Sequence, residues 1–295
     1  MEQVENDIKN LVHQIDYSNV TRLFDALSGG KRLRAKLVLK IAASSENSVR
    51  LAAIIELIHA ASLLHDDVID EASVRRGVPS VNATEDSKTA VMLGDVLYSK
   101  AFSELVHFES AIASCIAHSV TSLSVGEMMD VAMASHFNSD ADAYLNMLYL
   151  KTATLMEAAA TAAALLAQKD ATAYGVYGKN LGLSFQIIDD ILDIVSDEAT
   201  LGKPAMNDFV EGKCTLPYIY LYDALNRRDK ERLKDCHARE LAPGEGAWIR
   251  ARMEEHHSIE KAYALARKLS DEAITSVKDD RELVAVIETM MKRRY

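Results

Sequence analysis

The segment that decides the fold is His59-Ala-Ala-Ser-Leu-Leu-His-Asp66-Asp67-Val-Ile-Asp70, a mostly apolar run that ends in three aspartates. The same ending recurs at 183–193, in the sequence LSFQIIDDILD. In both segments apolar residues recur every three or four positions, which is the period of an amphipathic α-helix. The sequence therefore predicts two helices that each end in a DDxxD cluster of carboxylates.

The helical period extends along the chain, and strand-type alternation is absent. We predict helices at 31–43, 48–70, 86–107, 109–135, 140–168, 171–196, 213–225 and 258–277, with shorter helices at both ends. Only four prolines interrupt the chain, and no low-complexity linker or repeat divides it. We therefore expect residues 1–295 to form a single all-α domain.

Composition limits the partners that the chain can have. Apolar residues make up 49% of it, and the formal net charge of −11 argues against nucleic acid or an anionic membrane surface as the main partner. The cysteines Cys115, Cys214 and Cys236 are too scattered for a disulfide framework or a Cys-based zinc site. The sequence shows no signal-peptide pattern and no apolar stretch typical of a membrane span. We therefore expect a cytoplasmic protein with no transmembrane segment.

Each DDxxD cluster brings carboxylates four residues apart onto one helix face, Asp66 with Asp70 and Asp189 with Asp193. At that separation two carboxylates repel by about 3 kcal/mol at an effective dielectric of about 20. Mg²⁺ fits best, because it takes one or two carboxylates and completes its coordination with water and substrate phosphate oxygens. A single DDxxD is more often a solvated helix end, whereas two copies on apolar helices favour metal binding.

Basic residues stand beside glycines in this acidic chain. The segment Gly29-Gly30-Lys31-Arg32-Leu33-Arg34 places cations at a predicted helix N-terminus, where they oppose the helix dipole but suit a bound anion. The other basic motifs are Arg75-Arg76-Gly77, Lys151-Thr152, Gly202-Lys203-Pro204 and Glu211-Gly212-Lys213. Taken singly, each is usually a solvated surface feature. Together they predict two kinds of anion site, one reached through metal and one through Lys and Arg alone.

Three Glu-x-x-His triplets keep a second metal chemistry open. They are Glu56/His59, Glu104/His107 and Glu254/His257. This spacing is also the signature of di-iron carboxylate bundles. Such short motifs arise easily by chance in a helical chain rich in glutamate, and the di-iron hypothesis leaves both DDxxD clusters and the basic motifs unexplained.

Five motifs in order resemble the trans-isoprenyl diphosphate synthase, or polyprenyl synthetase, family. They are GGKRLR (29–34), ELIHAASLLHDDVIDEASVRRG (56–77), KTA (151–153), FQIIDDILD (185–193) and LGKPAMNDFVEGKCTLP (201–217). The resemblance implies about ten or more mostly antiparallel helices around a central active-site cavity, usually in a homodimer. It also implies a Mg²⁺-dependent prenyltransferase that condenses isopentenyl diphosphate with an allylic diphosphate, head to tail (1′-4).

The resemblance assigns roles to individual residues of this sequence. Metal ligands would be Asp66, Asp67, Asp70, Asp189, Asp190 and Asp193, with about three Mg²⁺ ions around the bound diphosphate. The allylic diphosphate would contact Arg75, Lys151, Thr152, Gln186, Lys203 and Lys213. Isopentenyl diphosphate would contact Gly30, Lys31, Arg34, His59 and Arg76, without metal. Direct catalytic roles would fall to Asp66, Asp70, Asp189, Lys151, Thr152 and Gln186.

The chain departs from the family pattern at two positions. The residue after GGKRLR is usually proline and here is Ala35. The family's Gly-Glu-x-x-Gln is Gly126-Glu127-Met-Met-Asp130, which removes the amide at its last position.

Product length is predicted from the helix that leads to the first DDxxD. Ala61 and Ser62 stand where short-chain members of the family carry bulky aromatic residues, and the same face continues through Ile58. Small residues one turn before the metal leave room for a growing tail, so we favour a medium- or long-chain product such as octaprenyl diphosphate. A short-chain synthase that makes geranylgeranyl or farnesyl diphosphate is the alternative.

Two other protein classes share parts of the pattern. A class I terpene cyclase normally carries an Asn/Ser/Glu metal motif in second place, and a non-catalytic partner subunit usually lacks one or both DDxxD clusters. Because both clusters are present here, the sequence favours a catalytic synthase.

Overall fold

The computed structural model describes residues 1–27, 29–195 and 205–292. The first helices are α1 (Glu2–His13), α2 (Ser18–Asp25), α3 (Leu33–Ala42), α4 (Glu46–Ile69), α5 (Val81–Thr84), α6 (Ser87–Leu105) and α7 (Ser110–Ala134). Then come α8 (Ala141–Leu148), a π-helix (Tyr149–Ala153), α9 (Thr154–Leu166), α10 (Ala171–Val195), α11 (Asn207–Val210), α12 (Leu216–Ala224), α13 (Arg227–Asp235), α14 (Glu245–Glu255), α15 (Ser258–Ser276) and α16 (Arg281–Met291). The predicted all-α class is confirmed.

Three local features differ from the sequence prediction. The segment predicted as one helix at 140–168 is α8, the π-helix and α9. Helix α3 begins at Leu33 because Arg32 is left-handed (φ 49°, ψ 44°), a conformation that a right-handed helix cannot continue. In the described ranges the sole sheet is a hairpin of β1 (Val74–Arg75) and β2 (Val78–Pro79), whose strands are too short to show alternation.

The chain divides into two compact units. The first comprises Met1–Val120 and Ala158–Gly175, and the second comprises Thr121–Glu157 and Val176–Tyr295. The boundaries fall inside α7, α9 and α10. A single domain over 1–295 stays a prediction.

Helix α4 is the core helix of the first unit. It begins with a capping box, in which the Ser45 side chain accepts from the Ser48 N–H and the Ser48 hydroxyl accepts from the Ser45 N–H. Residues 51–58 are all buried, because α4 packs against α1, α3 and α6 of the same unit. This packing fixes the helix whose last turn carries the first DDxxD.

Helix α4 is also the one described helix long and apolar enough to cross a membrane by length and composition. In the structure, 67% of its apolar window is buried within the protein, as expected for a core helix.

Packing around α10 positions the second DDxxD in the second unit. A Cβ at Gly182 would lie 2.7 Å from the Cα of Ala153, so glycine permits the close approach of α10 to the π-helix. The Ser184 hydroxyl donates to the carbonyl of Ala266 in α15, at 3.1 Å. Because Ser184 is fully buried, this hydrogen bond satisfies a polar group in the core and fixes α10 against α15.

Candidate active site

The first DDxxD cluster ends α4, and its three aspartates lie in different environments. Asp66 is half-buried, Asp70 is exposed at the C-cap, and Asp67 is 4% exposed. The Asp67 carboxylate accepts a hydrogen bond from Nε of Arg75 at 2.5 Å. Burial raises the pKa of Asp67, and the Arg75 charge opposes this shift. The geometry shows Asp67 orienting Arg75, a residue expected to bind the allylic diphosphate.

His59 also lies on α4, and arginines from other segments surround it. Burial lowers the pKa of His59 well below its usual value, and the charges of Arg34 and Arg76 lower it further, so the imidazole is neutral at pH 7. Burial also lowers the pKa of Arg34, against the effect of the Glu56 carboxylate, and Arg76 lowers it further. The Nε of Arg34 is buried without a hydrogen-bond partner. A guanidinium whose buried Nε lacks a partner and which lies beside further cations is an environment that attracts an anion.

Gly30 and Lys31 complete the residues expected around isopentenyl diphosphate. A Cβ at Gly30 would lie 2.6 Å from Nη1 of Arg76, so glycine leaves the space that this guanidinium occupies. Lys31 is exposed. The first unit therefore brings Gly30, Arg34, His59 and Arg76 together, and their binding of isopentenyl diphosphate stays a prediction.

The second DDxxD cluster lies in the last turns of α10. Asp189 is exposed, whereas Asp190 and Asp193 are each 3% exposed. Asp190 accepts hydrogen bonds from the Tyr144 hydroxyl and from Nε2 of Gln186, the latter at 3.1 Å. Burial raises the pKa of Asp190 well above its usual range, and the Asp208 carboxylate raises it further. Carboxylates held this close to one another favour a cation.

Lys151 and Thr152 lie in the π-helix of the second unit. Lys151 Nζ forms ion pairs with Asp130 at 2.6 Å and with Glu127 at 2.9 Å, both on α7. Burial alone would lower the pKa of Lys151, but these two carboxylates raise it, so the ammonium is charged at neutral pH. A Cβ at Gly126 would lie 2.3 Å from the Lys151 backbone nitrogen. Short π-helical segments within α-helices, such as the one that holds Lys151, are frequent at functional sites.

The remaining predicted residues fall in three places. Lys213 Nζ pairs with Glu211 at 3.2 Å in the loop after α11. Lys203 lies outside the described residues. The residues predicted to control chain length are buried on α4, with Ile58 and Ala61 at 0% exposure and Ser62 at 4%.

Comparison with known proteins decides the family. The polyprenyl synthetase family model matches residues 18–247. The chain belongs to the polyprenyl synthetase family. It is a prenyltransferase, and its relatives are named as synthases of isoprenoid diphosphates of different lengths.

Three relatives illustrate this range. The octaprenyl pyrophosphate synthase of Helicobacter pylori is 38% identical with a TM-score of 0.94, over 99% of this chain and 98% of that one. The geranylgeranyl diphosphate synthase of Sulfolobus acidocaldarius is 30% identical over 93% of this chain and 89% of its own length. A polyprenyl synthase of Caulobacter crescentus, solved with calcium and isoprenyl diphosphate, is 30% identical with a TM-score of 0.87, over 99% and 94% of the two chains.

The candidate site includes residues that sequence reasoning did not single out. Asp208 donates its backbone N–H to Oδ2 of Asp193 at 3.2 Å, and its carboxylate acts on the pKa of Asp190. It stands inside the LGKPAMNDFVEGKCTLP motif, so its position in that motif was the available signal. Tyr144 had no such signal, because it is separated from Asp190 by 46 residues.

The acidic residues fit Mg²⁺ only in combination with ligands from outside the protein. Across the described ranges, no group of three or more His, Cys, Asp or Glu side chains is arranged to hold a metal ion. The clusters offer hard carboxylate oxygens, and Mg²⁺ characteristically takes one or two of these together with water and phosphate oxygens. The di-iron hypothesis gains no support, because Glu56 and Glu104 are occupied by arginines.

Proposed function

We propose that this prenyltransferase is a Mg²⁺-dependent all-trans polyprenyl diphosphate synthase with a medium- or long-chain product. It joins isopentenyl diphosphate to an allylic diphosphate in successive 1′-4 condensations. The observation that carries the proposal is the environment of Arg34, whose buried and unpaired Nε lies among Arg76 and the neutral His59. That site accepts a diphosphate without metal, whereas the two DDxxD clusters accept one through metal.

We assign Mg²⁺ to the aspartates of the two clusters, which are Asp66, Asp67, Asp70, Asp189, Asp190 and Asp193. When bound, about three ions supply Lewis-acid stabilisation of the departing diphosphate. The calcium and isoprenyl diphosphate in the Caulobacter crescentus relative support a divalent cation beside a diphosphate. Asp67 contributes by holding Arg75 at 2.5 Å, so that the guanidinium is already oriented when substrate arrives.

Side chains of this chain stabilise charge at both ends of the bond that breaks. We assign Arg75, Lys151, Lys203 and Lys213 to the diphosphate, where fixed cations stabilise the negative charge that grows as the C–O bond lengthens. The Thr152 hydroxyl and the Gln186 carbonyl offer dipoles to the allylic cation. The double bond of isopentenyl diphosphate attacks that cation, and the proton lost from the adduct passes to the departed diphosphate, since the motifs contain no protein base.

The proposed product length rests on the small side chains of α4. Ala61 and Ser62 are small side chains one turn before Asp66, so they leave room for a growing tail along this face of α4. Both residues are buried. The Helicobacter pylori octaprenyl relative is 38% identical, which supports a long product. The archaeal relative, named a geranylgeranyl diphosphate synthase, keeps a short-chain product as the second candidate.

We also propose a homodimer, a cytoplasmic location and a single domain over 1–295. In the second unit, α7 exposes Val125, Met128 and Val131, at 44%, 73% and 52%. An exposed apolar helix face of this kind is typical of a protein interface. Light scattering after size exclusion tests the dimer, since a mass near 32.5 kDa would show a monomer instead.

The test of the proposed function is incorporation of radiolabelled isopentenyl diphosphate with farnesyl diphosphate as primer, with and without Mg²⁺, followed by sizing of the dephosphorylated products. We expect incorporation that requires Mg²⁺ and products longer than geranylgeraniol. Products that stop at geranylgeraniol would support the short-chain candidate. Absence of incorporation with every allylic primer would refute the synthase.

A further inference from the structure

Arg32 ties the GGKRLR segment to two helices, although the motif assigns it no ligand role. Its Nε and Nη2 donate to the two carboxylate oxygens of Glu5 in α1, at 2.7 and 3.1 Å. Its Nη1 donates to Glu56 in α4 at 3.3 Å. The left-handed backbone of Arg32 is unfavourable for a residue that has a Cβ. The two ion pairs therefore stabilise a backbone conformation that the segment would not adopt by itself.

Glu56 also caps α3 from a different helix. Arg32 occupies the N-cap position of α3, but its side chain makes no capping hydrogen bond. Instead, Oε1 of Glu56 accepts a hydrogen bond from the N–H of Ala35, in the first turn, at 3.0 Å. The first N–H groups of a helix lack partners within the helix, and the helix dipole favours a carboxylate beside them. The Glu56 carboxylate thus accepts from one N–H in the first turn of α3 and also binds Arg32, the residue before the helix.

The contact between Glu56 and α3 depends on a residue in which this chain departs from its family. Proline is usual at position 35, and a proline nitrogen carries no hydrogen to donate. Ala35 supplies the N–H that Glu56 uses. The carboxylate is therefore bound more extensively here than it would be beside a proline.

Glu56 lies where its charge acts on the arginines expected to bind isopentenyl diphosphate. It is 2% exposed, so solvent screens its charge weakly. Burial lowers the pKa of Arg34, and the Glu56 carboxylate raises it again. Loss of this negative charge would leave Arg34 and Arg76 to repel each other with less compensation.

We propose that Glu56 is a positioning residue for isopentenyl diphosphate. Through Arg32 and Ala35 it fixes the GGKRLR segment in the conformation that presents Lys31 and Arg34 to the diphosphate. Glu56 itself contacts no substrate in this account. The inference rests on the proposed function, since it assigns the segment to that substrate.

The test is Glu56→Gln, which keeps the size of the side chain and its ability to accept from Ala35 but removes the charge that holds Arg32. We expect KM for isopentenyl diphosphate to rise about tenfold, the effect of weakening a charged hydrogen bond. KM for farnesyl diphosphate and kcat stay unchanged, because those depend on other residues. A general loss of stability would not raise KM for isopentenyl diphosphate while leaving KM for farnesyl diphosphate unchanged.

Glu104→Gln is the matched control in the same unit. Glu104 is also a mostly buried glutamate, and it pairs with Arg50 at 2.7 Å and with Lys100 at 2.6 Å, outside the proposed site. We expect this variant to leave both KM values at the wild-type level. An equal rise in KM for isopentenyl diphosphate in both variants would overturn the proposal.

Ala35→Pro keeps the inference testable where Glu56→Gln fails to fold. It removes the N–H donor and leaves the Glu56 charge in place, so we expect KM for isopentenyl diphosphate to rise about threefold. An active enzyme whose KM for isopentenyl diphosphate is unchanged, in Glu56→Gln or in this second variant, overturns the positioning role. A wild-type enzyme with no incorporation at all refutes the proposed function instead.

Discussion

Gly126→Ala tests whether close packing of α7 positions the lysine of the π-helix. A Cβ at position 126 would lie 2.3 Å from the backbone nitrogen of Lys151 and 2.7 Å from its Cα. These are backbone atoms, so no side-chain rotation relieves the overlap. The two helices must separate by about 1 Å to restore a normal carbon–nitrogen contact distance. That displacement loosens the ion pairs of Lys151 with Asp130 and Glu127.

We expect two measurable effects of this separation. Overpacking in a buried contact lowers the free energy of unfolding by about 1–3 kcal/mol. Misplacement of a reactive group by about 1 Å lowers kcat/KM for the allylic diphosphate by up to about a hundredfold. Chemical denaturation and initial-rate kinetics with farnesyl diphosphate measure the two quantities.

Gly246→Ala is the control, because a Cβ there would meet its nearest atom, Sδ of Met206, at an ordinary 3.6 Å. This variant should match the wild type in both assays. If Gly126→Ala also matched the wild type in stability and in kcat/KM, the packing argument for Lys151 would be refuted.

Three further predictions concern the aspartates, the product and the pH dependence of stability. Asp66→Ala and Asp189→Ala should each lower kcat by about a hundredfold or more while the circular dichroism spectrum is preserved. The control Asp271→Ala, at an exposed position, should leave both kcat and the spectrum unchanged. Near-normal turnover in the first two variants would contradict the metal assignment. Ala61→Phe should shorten the product at a cost in stability of about 1–3 kcal/mol, because position 61 is fully buried. An unchanged product on reversed-phase chromatography would count against control of product length by this face of α4. Arg239→Ala should raise the pKa of Glu245 from about 2 toward 4.5, because the hydrogen bonds from Arg239 are the largest cause of that depression. A carboxyl group whose pKa is lower in the folded state than in the unfolded state stabilises the fold at pH values above its unfolded pKa. This stabilisation is lost as pH falls through the folded pKa, so the variant should lose less stability than the wild type between about pH 4.5 and pH 2. An NMR titration that leaves the pKa of Glu245 unchanged in the variant would contradict the ion pair.

Local sequence pattern was enough to predict the helices that carry the acidic clusters. The prediction at 171–196 is observed as Ala171–Val195, and that at 48–70 as Glu46–Ile69. Periodicity succeeds here because both helices bury long apolar faces, so that burial and helix period agree. The shared role of Arg34, His59 and Arg76 was expected from the family resemblance alone, and the structure adds that the three residues lie close together.

Contacts between distant segments could not be predicted in the same way. The close approach of α7 to the π-helix at Lys151 requires a residue without a Cβ at Gly126, on a different helix. The use of Asp67 to hold Arg75 depends on a short hairpin that the sequence does not signal. Asp190 was predicted as a metal ligand, yet its hydrogen bonds to Tyr144 and Gln186 become evident only in three dimensions. Side-chain partners of this kind are set by tertiary packing and leave no periodic trace in the chain.

The most direct test of the account is a crystal structure of the enzyme grown with Mn²⁺ and an unreactive thio analogue of farnesyl diphosphate, with the metal located by anomalous scattering. We predict Mn²⁺ bound by oxygens of Asp66, Asp70 and Asp189 together with the diphosphate, as hard cations bind carboxylate and phosphate together. Metal peaks on one DDxxD cluster alone, or two clusters that open separately to solvent with the diphosphate elsewhere, would contradict it.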